Sequence, residues 1–573
     1  MARSDIGHSP ARQLEAETVT ALRAAANRFG RADDASGLAL LRRAADEAIG
    51  DRTVLLAYHD VLLFLLAYPA TAAMRSLAAR ELTRVAAAAR DIDAHGPERA
   101  RGSLRGSGIA WSEITIAYGY PIVHWLVTRF PECADIDSFG DRGVLLGQWL
   151  RHGLPPTEFE LLACGEDSPE ALLEAGTKGW RDSRLAWLVA QFERLPCDPA
   201  LRETLYDSLE AFVSLNPRDA PISRTFARGL PAPVFYHRVP LLRSVDADRV
   251  IATALPRAHR LGRDARQQLI DAGRGVLAML GRETDPITHA DIKRTRHYNL
   301  GRGVDIALYS ATPAQRTALD SHIGYVLFKN TVPIGYGGGW PFLGTCKIGI
   351  NIFAPFRSGE SAFLMASVLR VYARLFAVER FVVEPYQFGA GNREGLESGA
   401  FWFYFRLGFR PVKPKLRALA LDEYEQIRLT PGYRTPLSVL RRFARSDLER
   451  PLIQGAQAAC DPALLSQAVT AWIASRFRGR RDRAEAAALR SVAAALGIGD
   501  AAGWNDDEHR ALRAMAPVLA QIKDLHAWPG PDKRRLVTLI RTKGGDEFRY
   551  FALMASFARL RSALNAVVEK SVA

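Results

Sequence analysis

The apolar residues of this chain change their spacing twice along its length, and that change limits what the chain can fold into. From Pro10 to about Gly281 they recur at three and four, as in Leu38, Leu41, Ala44, Ala45 and Ile49, and again in Leu185, Leu188, Val189 and Phe192. This spacing lays them along one side of a helix. Residues 304–309, 323–330 and 347–353 alternate instead and are β-rich, with Lys329-Asn330-Thr331 as a turn signal. After Leu421 the helical spacing returns, with Asp461-Pro462 reading as an N-cap and first-turn pair. The two periods bury different faces, so an α/β block is expected at 295–425, flanked by large all-α regions at 1–285 and 430–573. A single core stops growing near roughly 250–300 residues, so a chain of 573 should hold about three domains. No fixed-period repeat marks a solenoid.

Composition removes several classes. With 48% hydrophobic and 24% charged residues the chain is globular rather than disordered. The first residues, MARSDIGHSPARQ, carry no apolar run after their charges, so no secretory signal is expected and the reading is cytoplasmic. The longest apolar stretch, 54–68, is interrupted by His59 and Asp60. It falls short of the roughly 20 residues that span a bilayer and reads as a buried helix, with no membrane span. Cys133, Cys164, Cys197, Cys346 and Cys460 are scattered without a C-x-x-C pair and read as reduced thiols. The formal charge is +14, yet only ten of the 76 basic residues are Lys. That imbalance looks like a coding bias, and the spread of the Arg residues argues against a nucleic-acid stripe.

Two stretches carry chemistry. Pro355-Phe356-Arg357-Ser358-Gly359-Glu360-Ser361-Ala362 follows an expected strand and opens a helix carrying Leu364, Val368, Val371 and Leu375. Free N–H groups at a helix start hold phosphates, and small residues let them approach. The second stretch is Phe403-Tyr404-Phe405-Arg406-Leu407-Gly408-Phe409-Arg410-Pro411. Around them the expected order is strands at 324–329, 333–340 and 347–353, a helix at 362–376, a strand at 380–384, a loop and short helix, and a last strand at 416–421.

That order and both stretches resemble the GNAT superfamily of N-acyltransferases, over residues 305–421. The resemblance implies a mixed, mostly antiparallel sheet with helices on both faces, binding acetyl-CoA or another acyl-CoA as co-substrate and a primary amine as acceptor. The family's phosphate loop is Arg/Gln-x-x-Gly-x-Gly/Ala, which implies cofactor contacts from Arg357, Ser358, Gly359, Ser361 and Ala362; Glu360 stands where the family has its first Gly. Tyr404 matches the tyrosine that protonates the leaving thiolate. Backbone at Ile350, Asn351 and Ile352 would line the splay that takes the pantetheine arm and would supply the oxyanion donor. The family's Asn, which helps orient the cofactor arm, falls at Glu397 here; Asn392, five residues earlier in a glycine-rich extension, 385–392, is the cofactor-binding candidate in its place.

Glu384, at the strand end before Pro385, is the candidate base, beside a water relay. His297 and Tyr298 are weaker acceptor-side candidates. Gly337-Gly338-Gly339-Trp340 lacks the Lys-Ser/Thr of a phosphate loop. No metal-ligand spacing and no Gly-x-Ser-x-Gly elbow occurs, so metal-free acyl transfer is expected. Alternatives are the same fold using an acyl carrier protein or aminoacyl-tRNA as donor, or a non-catalytic interaction protein; the acceptor can be a small molecule or a protein.

Overall fold

The computed structural model describes residues 12–163, 168–455, 460–499 and 503–572. Cys164 and the start of the N-terminal segment read for a leader lie outside the described residues. The architecture is mixed α/β: an eight-stranded, mostly antiparallel sheet lies among helices.

The first helices pack against one another. Arg52–Ala67 starts at Asp51, whose carboxylate accepts from the Thr53 and Val54 N–H groups, and it is buried on nearly every side. A helix apolar all round needs cover all round, and Ala16–Ala26, Ala72–His95 and the central sheet supply it. No single described helix is long and apolar enough to cross a membrane.

Next comes a lobe with its own core, built around Val123, Leu126, Leu188 and Phe192. It corrects the all-helical expectation, because β1 (Ile114–Ala117), β2 (Ala134–Phe139) and β3 (Ala211–Leu215) form an antiparallel sheet in the order β1-β3-β2. Each strand is short, and β3 returns from far along the chain to pair with both others. Local periodicity carries no trace of such pairing.

The central sheet contains β4 (Arg296–Gly301), β5 (Val304–Tyr309), β6 (Ile323–Lys329), β7 (Val332–Phe342), β8 (Thr345–Ile352), β9 (Arg380–Val383), β10 (Arg410–Pro411) and β11 (Leu448–Pro451). Their order is β10-β11-β9-β8-β7-β6-β5-β4, with β8 and β9 the parallel pair. β5 and β6 are buried at every position because helices cover both faces. On one face lies Ser361–Phe376, whose Tyr372 hydroxyl donates to the Ile323 carbonyl at 2.5 Å. Arg263–Ala278 lies on the other, where Gly273 leaves room for Val326. The expected turn at 329–331 is a tight hairpin with Asn330 and Thr331 both at positive φ, the geometry that matches strand twist.

Two further expectations fail. Residues 416–421 lie inside the helix Pro414–Leu429, where Pro414 occupies the first turn. The strand that completes the sheet is β11, from the region read as all-α. The remaining C-terminal elements are helical, and Glu547–Ala555 packs on Ser361–Phe376 through stacked Phe548 and Phe376, 5.7 Å apart.

Candidate functional site

β8 and β9 begin as a parallel pair, matching Thr345, Cys346 and Lys347 with Arg380, Phe381 and Val382. Beyond Lys347, β8 stays paired with β7 as far as Ile352, while β9 ends at Val383. Among the described residues, 348–352 therefore have a strand partner on one side only. The helix Ala400–Arg406 points Tyr404 into this divergence, where its phenol faces the backbone N–H of Ile350. Tyr404 is 2% exposed. Burial pushes its pKa well above the usual value, and the Ile350 contact only partly offsets that. The hydroxyl thus stays protonated at neutral pH and is a proton donor by default.

The divergence is covered by Pro385–Phe388, with the Gln387 amide against Gly349. Asn392 is used locally: its carboxamide caps Arg393–Glu397 by accepting from the Gly395 N–H at 2.9 Å and donates to the Tyr386 carbonyl at 3.0 Å. Glu397 pairs with Arg393 at 2.6 Å on the surface.

At the start of Ser361–Phe376 no side chain caps the helix. Ser358 is exposed, Ser361 and Ala362 are half-buried, and Gly359 has no room for a side chain, since an added Cβ would lie 2.7 Å from the Tyr68 hydroxyl. Glu360 does not face solvent or Arg357. Its carboxylate is fully buried, accepts from Lys329 Nζ at 2.9 Å and from the Leu242 N–H at 3.1 Å, and pairs with Arg302. Burial alone would raise the Glu360 pKa; Lys329, Arg302 and Leu242 outweigh it and hold the group ionised. Arg357 instead bridges the strand end and the cover, donating to the Ile352 carbonyl at 3.1 Å and pairing with Glu394.

A cleft of about 510 Å³ lies on the sheet face beside the paired ends of β8 and β9. Its wall carries Asp320, Glu384, Asp447, Glu449 and Asp461 against Lys347 and Arg380, so it is acidic on a chain of net charge +14. Glu384 is half-exposed and pairs with Lys347 at 2.9 Å. Burial disfavours the Lys347 ammonium, but Glu384, Asp461 and Asp447 more than compensate and raise its pKa. Burial first, and Glu384 second, raise the Asp447 pKa. Sequence reasoning missed Asp447 and Glu449 because they sit at β11, in the region read as helical; the alternation of Leu448-Glu449-Arg450 was the available signal.

His297 and Tyr298 are each 3% exposed on β4. His297 packs edge-on to His259 and is held neutral by burial, its pKa lowered to about 4; both are core residues away from the cleft wall. The glycines of β7 mark close packing: a Cβ on Gly338 would fall 2.0 Å from His322 Nε2. Compared with family models, curated proteins and solved structures, the chain finds no significant match.

Proposed function

We propose that the divergence of β8 and β9 is an acyl-transfer site and that the protein is an N-acyltransferase of the GNAT type. The observation that carries this reading is Tyr404 buried in the divergence and facing the backbone of Ile350. An extended thioester arm laid along residues 348–352 can take the backbone groups that lack a strand partner there, as an added strand does.

Acyl-CoA is favoured as donor by the turn at 357–362. With its carboxylate drawn inward by Lys329 and Arg302, Glu360 does not oppose a pyrophosphate, and the uncapped N–H groups of Ser361 and Ala362 face an anion favourably. The acidic cleft favours an acceptor that arrives as a cation, an ammonium on an aliphatic chain. After that ammonium loses a proton to Glu384 or to water, the amine nitrogen attacks the thioester carbon. Glu384 passes that first proton to solvent, and the C–S bond breaks as Tyr404 gives its proton to sulfur. The second nitrogen proton leaves through the regenerated base to solvent, from which the Tyr404 phenolate is reprotonated. Access requires the cover at 385–392 to move, and Gly389 and Gly391 both sit at positive φ within it.

The test is mass spectrometry of the protein with a panel of acyl thioesters and primary amines. Tyr404→Phe is expected to cut turnover by about 10²–10⁴-fold while thioester binding persists. If no thioester is bound or consumed, the reading fails; full turnover in Tyr404→Phe removes the acid assignment.

A further inference from the structure

A second cavity, of about 520 Å³, shares no wall residue with the acidic cleft. It is walled by Arg129 and Phe130 of the second lobe, by Pro221, Phe226 and Arg228 of the segment after β3, and by the helix Arg263–Ala278. Three stretches distant in sequence therefore meet around it.

The charges on its wall are not equally satisfied. Asp271 accepts from Arg129 Nη2 at 2.7 Å, from Trp125 Nε1 at 2.8 Å and from Gln267 Nε2 at 2.8 Å, so it and Arg129 neutralise each other. Asp264, the other wall carboxylate, is exposed on the first turn of the helix, where solvent screens it. Arg228 has no ion pair among the described residues; its one hydrogen bond runs from Nη1 to the carbonyl of its neighbour Ala227, at 2.7 Å. The charge that acts on it is a second guanidinium, Arg75. Arg75 also has no carboxylate among the described residues: Nη2 reaches only the Asn330 carbonyl at 3.4 Å, and Nε is buried without a partner. Burial, and then Arg75, lower the Arg228 pKa to about 10.

A guanidinium at that value is still charged at neutral pH, so the repulsion is not relieved by losing a proton. An anion bound to Arg228 would relieve it and would restore hydrogen bonds to the planar fork. The apolar part of the wall, Phe130, Pro221 and Phe226, suits a carbon body, and the volume falls in the range of small-molecule sites, roughly 300–1,000 Å³.

We propose that this cavity binds a small organic anion, a carboxylate or phosphate monoester whose anionic head pairs with Arg228 and whose apolar body lies on Phe130, Pro221 and Phe226. The site is independent of the acyl-transfer reading. Occupancy would tie the second lobe to the segment that carries Arg228 and to the helix beneath it.

Titration calorimetry with benzoate, phenyl phosphate and neutral benzyl alcohol tests it on the full chain. One of the two anions should bind saturably and raise the melting temperature, benzyl alcohol should do neither, and Arg228→Gln should weaken the anion at least tenfold. The two anions separate a carboxylate site from a phosphate site. In the wild-type protein the bound anion should also protect Arg228 from phenylglyoxal, read by peptide mass spectrometry, so the answer does not depend on the variant folding. No binding of either anion at millimolar concentration, equal binding of benzyl alcohol, unchanged affinity in a folded Arg228→Gln, or unprotected Arg228 would each overturn the proposal.

Discussion

Two pairs of cations lie close together where the N-terminal helices meet the central sheet, and the fold treats them in opposite ways. Arg302 and Lys329 share the buried carboxylate of Glu360, and Lys329 also donates to the Arg302 carbonyl at 2.6 Å. Arg75 and Arg228 share none among the described residues, although Arg75 reaches the carbonyl of Asn330, the residue after Lys329. A compensated cation can be a structural part; an uncompensated one in a cavity wall costs stability unless something else meets it. The first pair therefore belongs to the scaffold behind the helix start at Ser361, and the second to a place for a partner.

The sharpest way to break this contrast is Glu360→Gln, which leaves the buried Lys329 and the part-buried Arg302 facing a neutral amide. A loss of about 3–5 kcal/mol is expected from the urea midpoint, and a loss below 1 kcal/mol would show that the carboxylate does not hold the turn. The double variant Glu360→Leu with Lys329→Met should recover much of that stability, because both charges leave together.

A smaller effect concerns His237, fully buried among Phe29, Tyr68 and Phe235 with neither ring nitrogen partnered among the described residues. Burial, then Lys329, lower its pKa to about 3. Between that value and about 6.5 the unfolded chain binds the proton more readily, so stability falls as pH drops through this window. The slope from one such group reaches about 1.4 kcal/mol per pH unit. His237→Leu should flatten the curve of urea midpoint against pH, and an unchanged slope would assign the acid sensitivity to His297 and His322, also held neutral by burial. Glu360 acts lower, its contribution lost as pH falls below about 4.3 toward its depressed pKa.

The smallest effect is opposite in sign to the largest. Arg228→Met removes an uncompensated charge and should leave stability unchanged or raise it by about 1 kcal/mol, read from the same urea midpoint. If it costs as much as Glu360→Gln, the two cation pairs are not different in kind.

Legibility in the sequence followed locality. Helix Arg52–Ala67, strands β5 to β8, the turn at Asn330 and the helix that begins at Ser361 announce themselves by period and by neighbours a few positions away. Tyr404 was marked by its surroundings in the chain, and it does meet Ile350. What was hidden depends on distant partners: β3 joining β1 and β2, Glu360 turning toward Lys329, the Leu448–Pro451 strand, and the carboxylates at Asp447 and Glu449. Residues 416–421 alternate like a strand, but Pro414 and the polar run that follows make a helix of them.

The insertion of β11 between β9 and β10 has a consequence for how the chain can be made and cut. Until residue 451 leaves the ribosome, β9 presents Phe381 and Val383 on an open edge, and open apolar edges recruit other chains. A fragment ending near 425, where the texture of the sequence invites a boundary, would keep Tyr404 yet strip β9 of its neighbour and the cleft of Asp447, Glu449 and Asp461. Such a fragment should aggregate during expression, whereas extending it past 451 restores the missing strand.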